Sequence, residues 1–372
     1  MTRIQELEVF RVPPRWLFVR IVTSDGIVGW GEATLEGHTE AVEGALKDLW
    51  EKFMGWDSND IEDIWQVAYR ARFYRGGPVL MSALSGLNIA LWDIKGKRLG
   101  VPVWQLLGGK VRDRIKVYGW IGGDKPSDVV AAAQRRKEQG FMAVKMNGTE
   151  KIGWIDSPAK LQDSVARIAQ GHGKAAGEII GTVSASFHRG ALLPTQPEEI
   201  ADLKNLVATP IALGERLYTR MDFRPYFERR AIDIAQPDIS HCGGISELHR
   251  IATLAEAYDV ALAPHCPLGP IAFAACLQVA TCTANFVIQE MSWEIHYNAR
   301  LDSEVGADLH TFVVNPEVFR VQDGHVGILQ APGLGIEINE ELVRSMSAKY
   351  VERYPAWRNP LWRGDDGTVA EW

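Results

Sequence analysis

The sequence predicts an α/β protein in which an N-terminal α+β domain caps a (β/α) barrel. Its 372 residues exceed one small domain and suffice for two. β-type runs and long helical patterns fill the N-terminal part, whereas short apolar strands alternate with helices from residue 115 onward. We therefore expect a capping domain at 1–114, a barrel domain at 115–330 and a C-terminal segment at 331–372 that packs back on the cap.

The N-terminal domain is predicted to open with a β-meander. Runs rich in β-branched and aromatic residues, two of them joined by a turn at Ser24–Gly26, predict three strands: Ile4–Val12, Leu17–Val22 and Ile27–Glu32. The period then becomes helical. Glu40–Phe53 is amphipathic, and Pro78–Lys97 is longer and mostly apolar, with Gly100 placed to end it.

The second part has the alternation that is typical of parallel βαβ units. Six or more strands in about 175 residues favour a closed barrel over an open sheet. The predicted strands are Ile115–Trp120, Phe141–Met146, Pro210–Gly214, Ile232–Gln236, Val260–Ala263 and Phe286–Gln289. The helices expected between them include Pro126–Glu138, Glu198–Val207, Asp222–Arg229, Ile245–Tyr258 and Pro270–Thr281.

Composition excludes several classes of protein. The net charge of −7 leaves no basic field for nucleic acid or an anionic membrane. We expect no apolar segment long enough to span a bilayer, and the N-terminus does not have the pattern of a signal peptide. The four cysteines lie within 41 residues and form no CxxC pair. The sequence predicts a soluble, reduced, cytoplasmic protein that acts on a small molecule, with homo-oligomerisation left open.

One ionisable residue follows each of the last four predicted strands: Glu215, Asp238, His265 and Glu290. The intervals are 23, 27 and 25 residues, one βα unit each. Lys145 ends an earlier strand, and Asn147 faces the same way two residues on. A surface charge explains any one of these residues, but four in register favour a ring at the mouth of the barrel, where such enzymes place their chemistry.

The residue types in this ring indicate a reaction class. Carboxylates at strand ends suit Mg²⁺, a hard cation, and the absence of cysteine argues against zinc or iron–sulfur chemistry. His265 beside Asp238 is a general-base arrangement, because a carboxylate orients the imidazole and raises its basicity. A metal with a base is suited to removing a proton α to a carboxylate.

Several stretches resemble the enolase superfamily, in its mandelate-racemase-like branch. They are Pro13–Trp16, Phe73–Pro78, Leu91–Lys97, Val103–Gly109, Gly214–Arg216, Gln236–His241, Ala263–Pro270 and Trp357–Arg363. Apart from residues 171–191, the likeness extends over nearly the whole chain. It implies a barrel of enolase type and an Mg²⁺-dependent dehydratase that removes water across C2–C3 of a sugar acid, giving a 2-keto-3-deoxy acid.

The resemblance also implies a role for each ring residue. Glu215 matches the third Mg²⁺ ligand, and His265 matches the base that takes the C2 proton. Asp238 matches the partner of that base, and Glu290 matches the group that stabilises the enediolate. Further candidates for substrate binding lie at the mouth or on loops of the cap: Lys145, Asn147, Arg15, Trp16, Tyr74, Arg75 and His296.

The family pattern breaks between Asn147 and Glu215. The family's third barrel strand carries Asp-Phe-His-Gly-Arg, with a metal ligand and the general acid, and its fourth carries Phe-Ile-Glu-Glu-Pro, with another ligand. Neither motif is present here. Ser186–Gly190 is only superficially similar to the first of them. One of three carboxylate ligands remains, and we expect the barrel to be incomplete and the chain as written to be inactive or poorly folded.

A change of reading frame accounts for this break. Permitted codons for His172–Ala191, read one base later, allow a helix that runs into Leu-Phe-Ile-Glu-Glu-Pro. We hypothesise a frame-shifted segment joined to a short deletion, with the frame restored at Leu192. Sequencing the gene tests this idea: codons that cannot yield Ile-Glu-Glu-Pro in the shifted frame contradict it.

Two alternatives to the leading function stay open. One is the same chemistry on another aldonate, such as gluconate or a pentonate, because substrate choice lies in loops of the cap. The other is a non-catalytic homologue that has lost its metal ligands. A racemase or cycloisomerase is disfavoured, since the two-lysine motif is absent: Asn147 stands two residues after Lys145.

Overall fold

The computed structural model describes most of the chain. The described residues are 2–70, 73–122, 126–146, 158–159, 162–163, 166, 183–184, 195–295, 298, 306–353, 363 and 366–369. Apart from Val183 and Ser184, the unusual stretch 171–191 lies outside them, so its frame-shift origin stays a hypothesis.

The N-terminal sheet is an antiparallel meander in the predicted order. Its strands are β1 (Ile4–Val12), β2 (Trp16–Thr23) and β3 (Val28–Glu32). Four helices follow: α1 (Thr39–Phe53), α2 (Ile61–Arg70), α3 (Gly77–Leu99) and α4 (Val103–Leu106). Gly100 ends α3 in the left-handed conformation, with φ of 70°, as its position predicted.

Helix α3 lies directly on β3. A Cβ atom at Gly31 would come within 1.9 Å of the Gly86 carbonyl oxygen, so only glycine permits this approach. Among the described helices, α3 has the length and apolarity of a membrane span, contrary to our expectation from the sequence. Most of it is buried inside the protein, where it packs against β3, α1 and the barrel, and it is therefore a core helix.

The parallel strands that follow form the barrel. They are β4 (Arg114–Trp120), β5 (Val144–Lys145), β6 (Val183–Ser184), β7 (Ile211–Leu213), β8 (Ile234–Ala235), β9 (Ala261–Leu262) and β10 (Gln289–Met291). A last short strand, β11 (His325–Gly327), pairs antiparallel with the start of β4. The helices are α5 (Pro126–Glu138), α6 (Pro197–Leu206), α7 (Arg220–Glu228), α8 (Gly244–Glu256), α9 (Pro270–Cys282) and α10 (Glu340–Arg353). This architecture is the predicted one.

Parallel pairing joins the barrel strands in two groups. One has the order β5-β4-β10, and the other has the order β6-β7-β8-β9. A parallel bridge between Leu262 and Phe286 links the groups on the side of β9. Within the described residues no pairing joins β5 to β6, which is where the sequence loses its family pattern.

Cap and barrel share a buried polar interface. The Trp65 indole of α2 donates to the Gly243 carbonyl at 2.9 Å, and Asn88 Nδ2 of α3 donates to Ser246 Oγ at 2.9 Å. Helix α10 returns from the C-terminal side to pack on β1, where Tyr350 Oη donates to the Pro14 carbonyl at 3.3 Å. These contacts fix the cap over the carboxyl ends of the barrel strands.

Candidate active site at the barrel mouth

The structure brings His265 and Asp238 together at the mouth of the barrel. A parallel bridge sets these two residues side by side just after β9 and β8. His265 Nδ1 lies 2.8 Å from Asp238 Oδ2, and the other Asp238 oxygen accepts from the Ser240 backbone N–H at 2.7 Å. Asp238 is fully buried, so it holds the imidazole in one orientation and leaves Nε2 directed at the other carboxylates of the mouth.

Glu215 and Glu290 approach His265 from either side. The imidazole Nε2 lies 3.3 Å from Glu215 Oε2 and 3.8 Å from Glu290 Oε2. Burial alone lowers the pKa of His265, but the Glu215 and Glu290 carboxylates, with the hydrogen bond to Asp238, raise it to about 9. In this arrangement His265 is therefore an imidazolium at neutral pH.

Glu290 is paired with Lys145 across strand β4. Lys145 Nζ lies 3.1 Å from Glu290 Oε1, and the Cys266 backbone N–H donates to Oε2 at 3.0 Å. Burial raises the pKa of Glu290, but the positive charges of Lys145 and His265 outweigh that effect and lower it. Glu290 is an ionised acceptor here, and Lys145 is the donor beside it.

Sequence reasoning missed two groups at the mouth, Glu36 of the cap and His241 of the barrel. Glu36 Oε2 lies 3.5 Å from His241 Nε2, and Arg15 Nη1 lies 3.5 Å from Glu36 Oε1. Although burial raises the pKa of Glu36, Arg15 and His241 hold it well below its usual range. Glu36 belongs to no motif, and His241 only ends the stretch Gln236–His241 without following a strand directly, so the tertiary placement is what brings both to the mouth.

The four cap residues predicted to touch substrate have different environments. Arg15 is buried, and its Nη2 donates to the Pro267 carbonyl at 3.3 Å, beside the mouth. Trp16 is 1% exposed and stacks on Phe18 with ring centroids 6.0 Å apart, so its surroundings are those of a core residue, and its substrate-binding role stays a prediction. Packing of β2 against the barrel explains this burial.

The two exposed residues of that set, Tyr74 and Arg75, have no described contact with the mouth, and their substrate-binding roles stay predictions. Tyr74 is 84% exposed, and the Arg75 guanidinium lies 5.6 Å from the centre of the Tyr69 ring. Asn147 and His296 lie outside the described residues, and the roles predicted for them are untested.

A buried carboxylate of the cap secures the loop that carries His265. Glu32, at the end of β3, accepts hydrogen bonds from the Gly269 N–H at 2.8 Å and the Ala272 N–H at 3.0 Å, at the start of α9. Thr34 Oγ1 donates to the same carboxylate at 2.9 Å. Glu32 thus satisfies donors of a barrel helix that have no partner within the helix.

Glu32 also makes stability depend on pH. Burial raises its pKa from 4.5 to about 7, against the three hydrogen bonds that favour the ionised form. The stability that this raised pKa contributes is fully present below pH 4.5 and is lost as the pH rises through 7. Glutamine does not titrate. As the pH rises from 4.5 to 8, we therefore expect the unfolding free energy of Glu32→Gln to increase by about 3 kcal/mol relative to that of the wild type.

Urea unfolding of both proteins across this pH range measures that difference, with Gln105→Glu, at an exposed position of α4, as the control for a general pH effect. A difference in unfolding free energy between Glu32→Gln and the wild type that does not change with pH would contradict the raised pKa of Glu32. Glu32→Ala leaves two buried N–H groups unpaired and should cost about 2 kcal/mol.

Comparison with known proteins identifies the family. The N-terminal domain of mandelate racemase and muconate lactonizing enzyme matches residues 13–108, and the enolase C-terminal domain-like family matches residues 192–342. With relatives above 45% identity over its full length, the chain belongs to the enolase superfamily, in its mandelate-racemase-like branch. This confirms the resemblance and the fold class.

The similar proteins include several dehydratases. The chain is 48% identical to D-galactonate dehydratase of Pectobacterium atrosepticum and 45% identical to that of Variovorax paradoxus, with 100% of both chains covered in each case. A solved enolase from Agrobacterium radiobacter, with bound sodium and L-malate, superimposes with a TM-score of 0.84 at 29% identity, covering 99% of each chain.

The alignments also show a length difference. The match to the Pectobacterium protein spans 392 positions, 20 more than the 372 residues of this chain, so residues are missing here relative to that protein. The C-terminal family match begins at residue 192, the point at which the frame-shift hypothesis restores the frame. Both observations agree with a short deletion before Leu192.

Membership of this family implies a divalent metal ion at the mouth, and the donor set tests that implication. Within the part of the chain that the structure describes, no three acidic, histidine or cysteine side chains form a metal cage. Asp238 and Glu290 are each held by protein donors, and Glu215, the remaining carboxylate of the ring, faces His265 Nε2. One carboxylate does not satisfy the near-octahedral oxygen ligation of Mg²⁺, so the described residues do not fit a complete site.

Proposed function

We propose that this chain derives from, and is built as, a hydro-lyase that converts D-galactonate to 2-dehydro-3-deoxy-D-galactonate. The observation that carries the proposal is the placement of His265, with Nδ1 held by Asp238 at 2.8 Å and Nε2 between the Glu215 and Glu290 carboxylates. The full-length relatives that are D-galactonate dehydratases support the choice of substrate.

The proposed chemistry begins with removal of the C2 proton. His265 Nε2 accepts this proton, so the imidazole must be neutral when substrate is bound. Since Nε2 now faces the Glu215 carboxylate at 3.3 Å, that ion pair must open or Glu215 must be neutralised before His265 can act as a base. Asp238 then stabilises the imidazolium that forms.

The negative charge that develops on the substrate carboxylate needs a donor. The family resemblance gives this role to Glu290, but an ionised Glu290 accepts hydrogen bonds and does not donate them. Lys145, 3.1 Å from Glu290, is the described group that can donate to the enediolate. We therefore assign the stabilisation to the pair, with Lys145 as its cationic member.

Mg²⁺ is the proposed metal, with Glu215 as one of its ligands. Since the described residues do not complete the site, we derive no step through the ion. The same shortage favours a second candidate function, a non-catalytic homologue that retains the scaffold. Another aldonate, such as gluconate or a pentonate, is the alternative substrate for the same dehydration reaction.

Titrating Mg²⁺ into the metal-free chain with each sugar acid, and detecting the 2-keto product with semicarbazide, tests the proposal. Metal-dependent product from D-galactonate supports the leading function. If only another acid gives product, that acid replaces D-galactonate as the proposed substrate. If no acid gives product at saturating Mg²⁺, the result supports the second candidate function, a non-catalytic homologue. A chelator added at the end of each titration is the control for metal dependence.

The proposal extends to the setting of the enzyme. We place it in the cytoplasm, with a soluble sugar acid as its partner and with neither nucleic acid nor membrane. A homo-oligomer is compatible with this proposal, and light scattering coupled to size-exclusion chromatography measures the mass of the assembly.

A further inference from the structure

Tyr118 has a buried hydroxyl that meets no hydrogen-bond partner among the described residues. The residue lies on β4 and is 7% exposed, and within the described part of the chain its hydroxyl oxygen has neither a donor nor an acceptor in reach. Leaving a buried polar group unpaired is costly, so such groups in folded proteins commonly face a ligand or water. The surroundings of Tyr118 indicate which of its neighbours a ligand would meet.

The backbone of β4 shows which way Tyr118 points. A Cβ atom at Gly119 would lie 3.0 Å from Nε of Arg136 on α5, so the Gly119 side of the strand faces the outer helices. Side chains alternate along a strand, and Tyr118 and Trp120 therefore point to the opposite face, the interior of the barrel.

The interior neighbours of Tyr118 are the charged groups of the mouth. In the pairing of β4 with β10, Tyr118 is in register with Glu290, and in the pairing with β5, Trp120 is in register with Lys145. The Lys145–Glu290 contact of 3.1 Å thus crosses β4 on the face that carries Tyr118. After burial, the carboxylates of Glu290 and Glu215 are what raise the pKa of Tyr118.

We propose that the Tyr118 hydroxyl donates a hydrogen bond to an oxygen at the carboxylate end of the bound sugar acid. This inference rests on the proposed function and adds a substrate-binding residue to it. Burial and the neighbouring carboxylates keep the proton on this phenol, so an oxygen of a bound molecule can serve as its acceptor. The Lys145–Glu290 pair lies on the same face and in register, which places the acceptor next to the groups that act on C1 and C2.

The test compares Tyr118→Phe with a matched tyrosine-to-phenylalanine change elsewhere. Tyr350→Phe removes a hydroxyl that does have a partner, the Pro14 carbonyl at 3.3 Å, on helix α10 and not on a barrel strand. Thermal unfolding of the full chain is measured without ligand and with D-galactonate in MgCl₂, and calorimetry gives the dissociation constants.

We expect Tyr118→Phe to leave the unfolding midpoint unchanged or raised, because no partner is lost, and to weaken D-galactonate binding about tenfold or more. Tyr350→Phe should lower the midpoint and leave binding unchanged. If Tyr118→Phe binds D-galactonate as tightly as the wild type, the inference about Tyr118 is overturned and the proposed function is not. A lower unfolding midpoint for Tyr118→Phe than for the wild type would overturn the inference in the same way. Failure of the wild type to bind any aldonate overturns the proposed function and this inference with it.

Discussion

Replacing residues 171–191 with the corresponding longer segment of the Pectobacterium atrosepticum relative is expected to raise dehydration of D-galactonate at least about a thousandfold. The physical reason is the donor set: the described residues hold Glu215 alone, and the replacement restores the two carboxylates of the family pattern. Ion-assisted stabilisation of a developing enediolate is worth several kcal/mol, and each 1.36 kcal/mol is about tenfold in rate.

The replacement has two readouts besides turnover. Calorimetry should detect Mg²⁺ binding by the repaired chain and not by the original, and the repaired chain should unfold at a higher temperature, because the strands on both sides of the break regain their neighbours. A repaired chain with the metal ligands changed to alanine is the matched control. Equal Mg²⁺ affinity before and after repair would show that the break is not what limits the site.

Changing His265 to asparagine in the repaired chain is expected to reduce turnover by about 10²–10⁴-fold, the range typical of losing a general base. Asparagine retains a polar side chain of similar size beside Asp238 but cannot take the C2 proton. Exchange of the C2 hydrogen with deuterated solvent, followed by NMR of D-galactonate, measures this step separately from loss of the C3 hydroxyl.

His325→Asn is the matched control, because His325 lies on β11, and its Nδ1 contacts the Asp323 carbonyl outside the mouth. It should leave both exchange and turnover unchanged. Asp238→Asn should reduce exchange less than His265→Asn does, since the base remains but loses its orienting carboxylate. C2 exchange at the wild-type rate in His265→Asn would assign the base to another residue.

Local periodicity predicted the elements that bury one clear face. The bounds of β1 agree with the prediction, and α3 ends at Gly100 as its position required. Helix α2 was missed although Ile61, Ile64, Trp65 and Ala68 form a helical stripe, a signal that the sequence did contain. Strand β11 was missed because its three residues pair antiparallel with the start of β4 and form no pattern of their own.

The ring at the mouth could be predicted because the strand ends of a parallel barrel share one rim. That geometry brings Glu215, Asp238, His265 and Glu290 together without knowledge of distant contacts. Contacts between cap and barrel follow no such rule. Glu36 meets His241 only after two separate domains have docked, and Trp16 turned out to lie in the core for the same reason.

The Glu32 carboxylate has a consequence for how such enzymes diversify. Since β3 of the cap holds the first turn of the helix that follows His265, a foreign cap grafted onto this barrel would disturb the base unless it brought an equivalent acid. New substrate preferences are then easiest to acquire in the cap's loops, and hardest in the strand that ends at Glu32. The cap and the barrel therefore have to be inherited together.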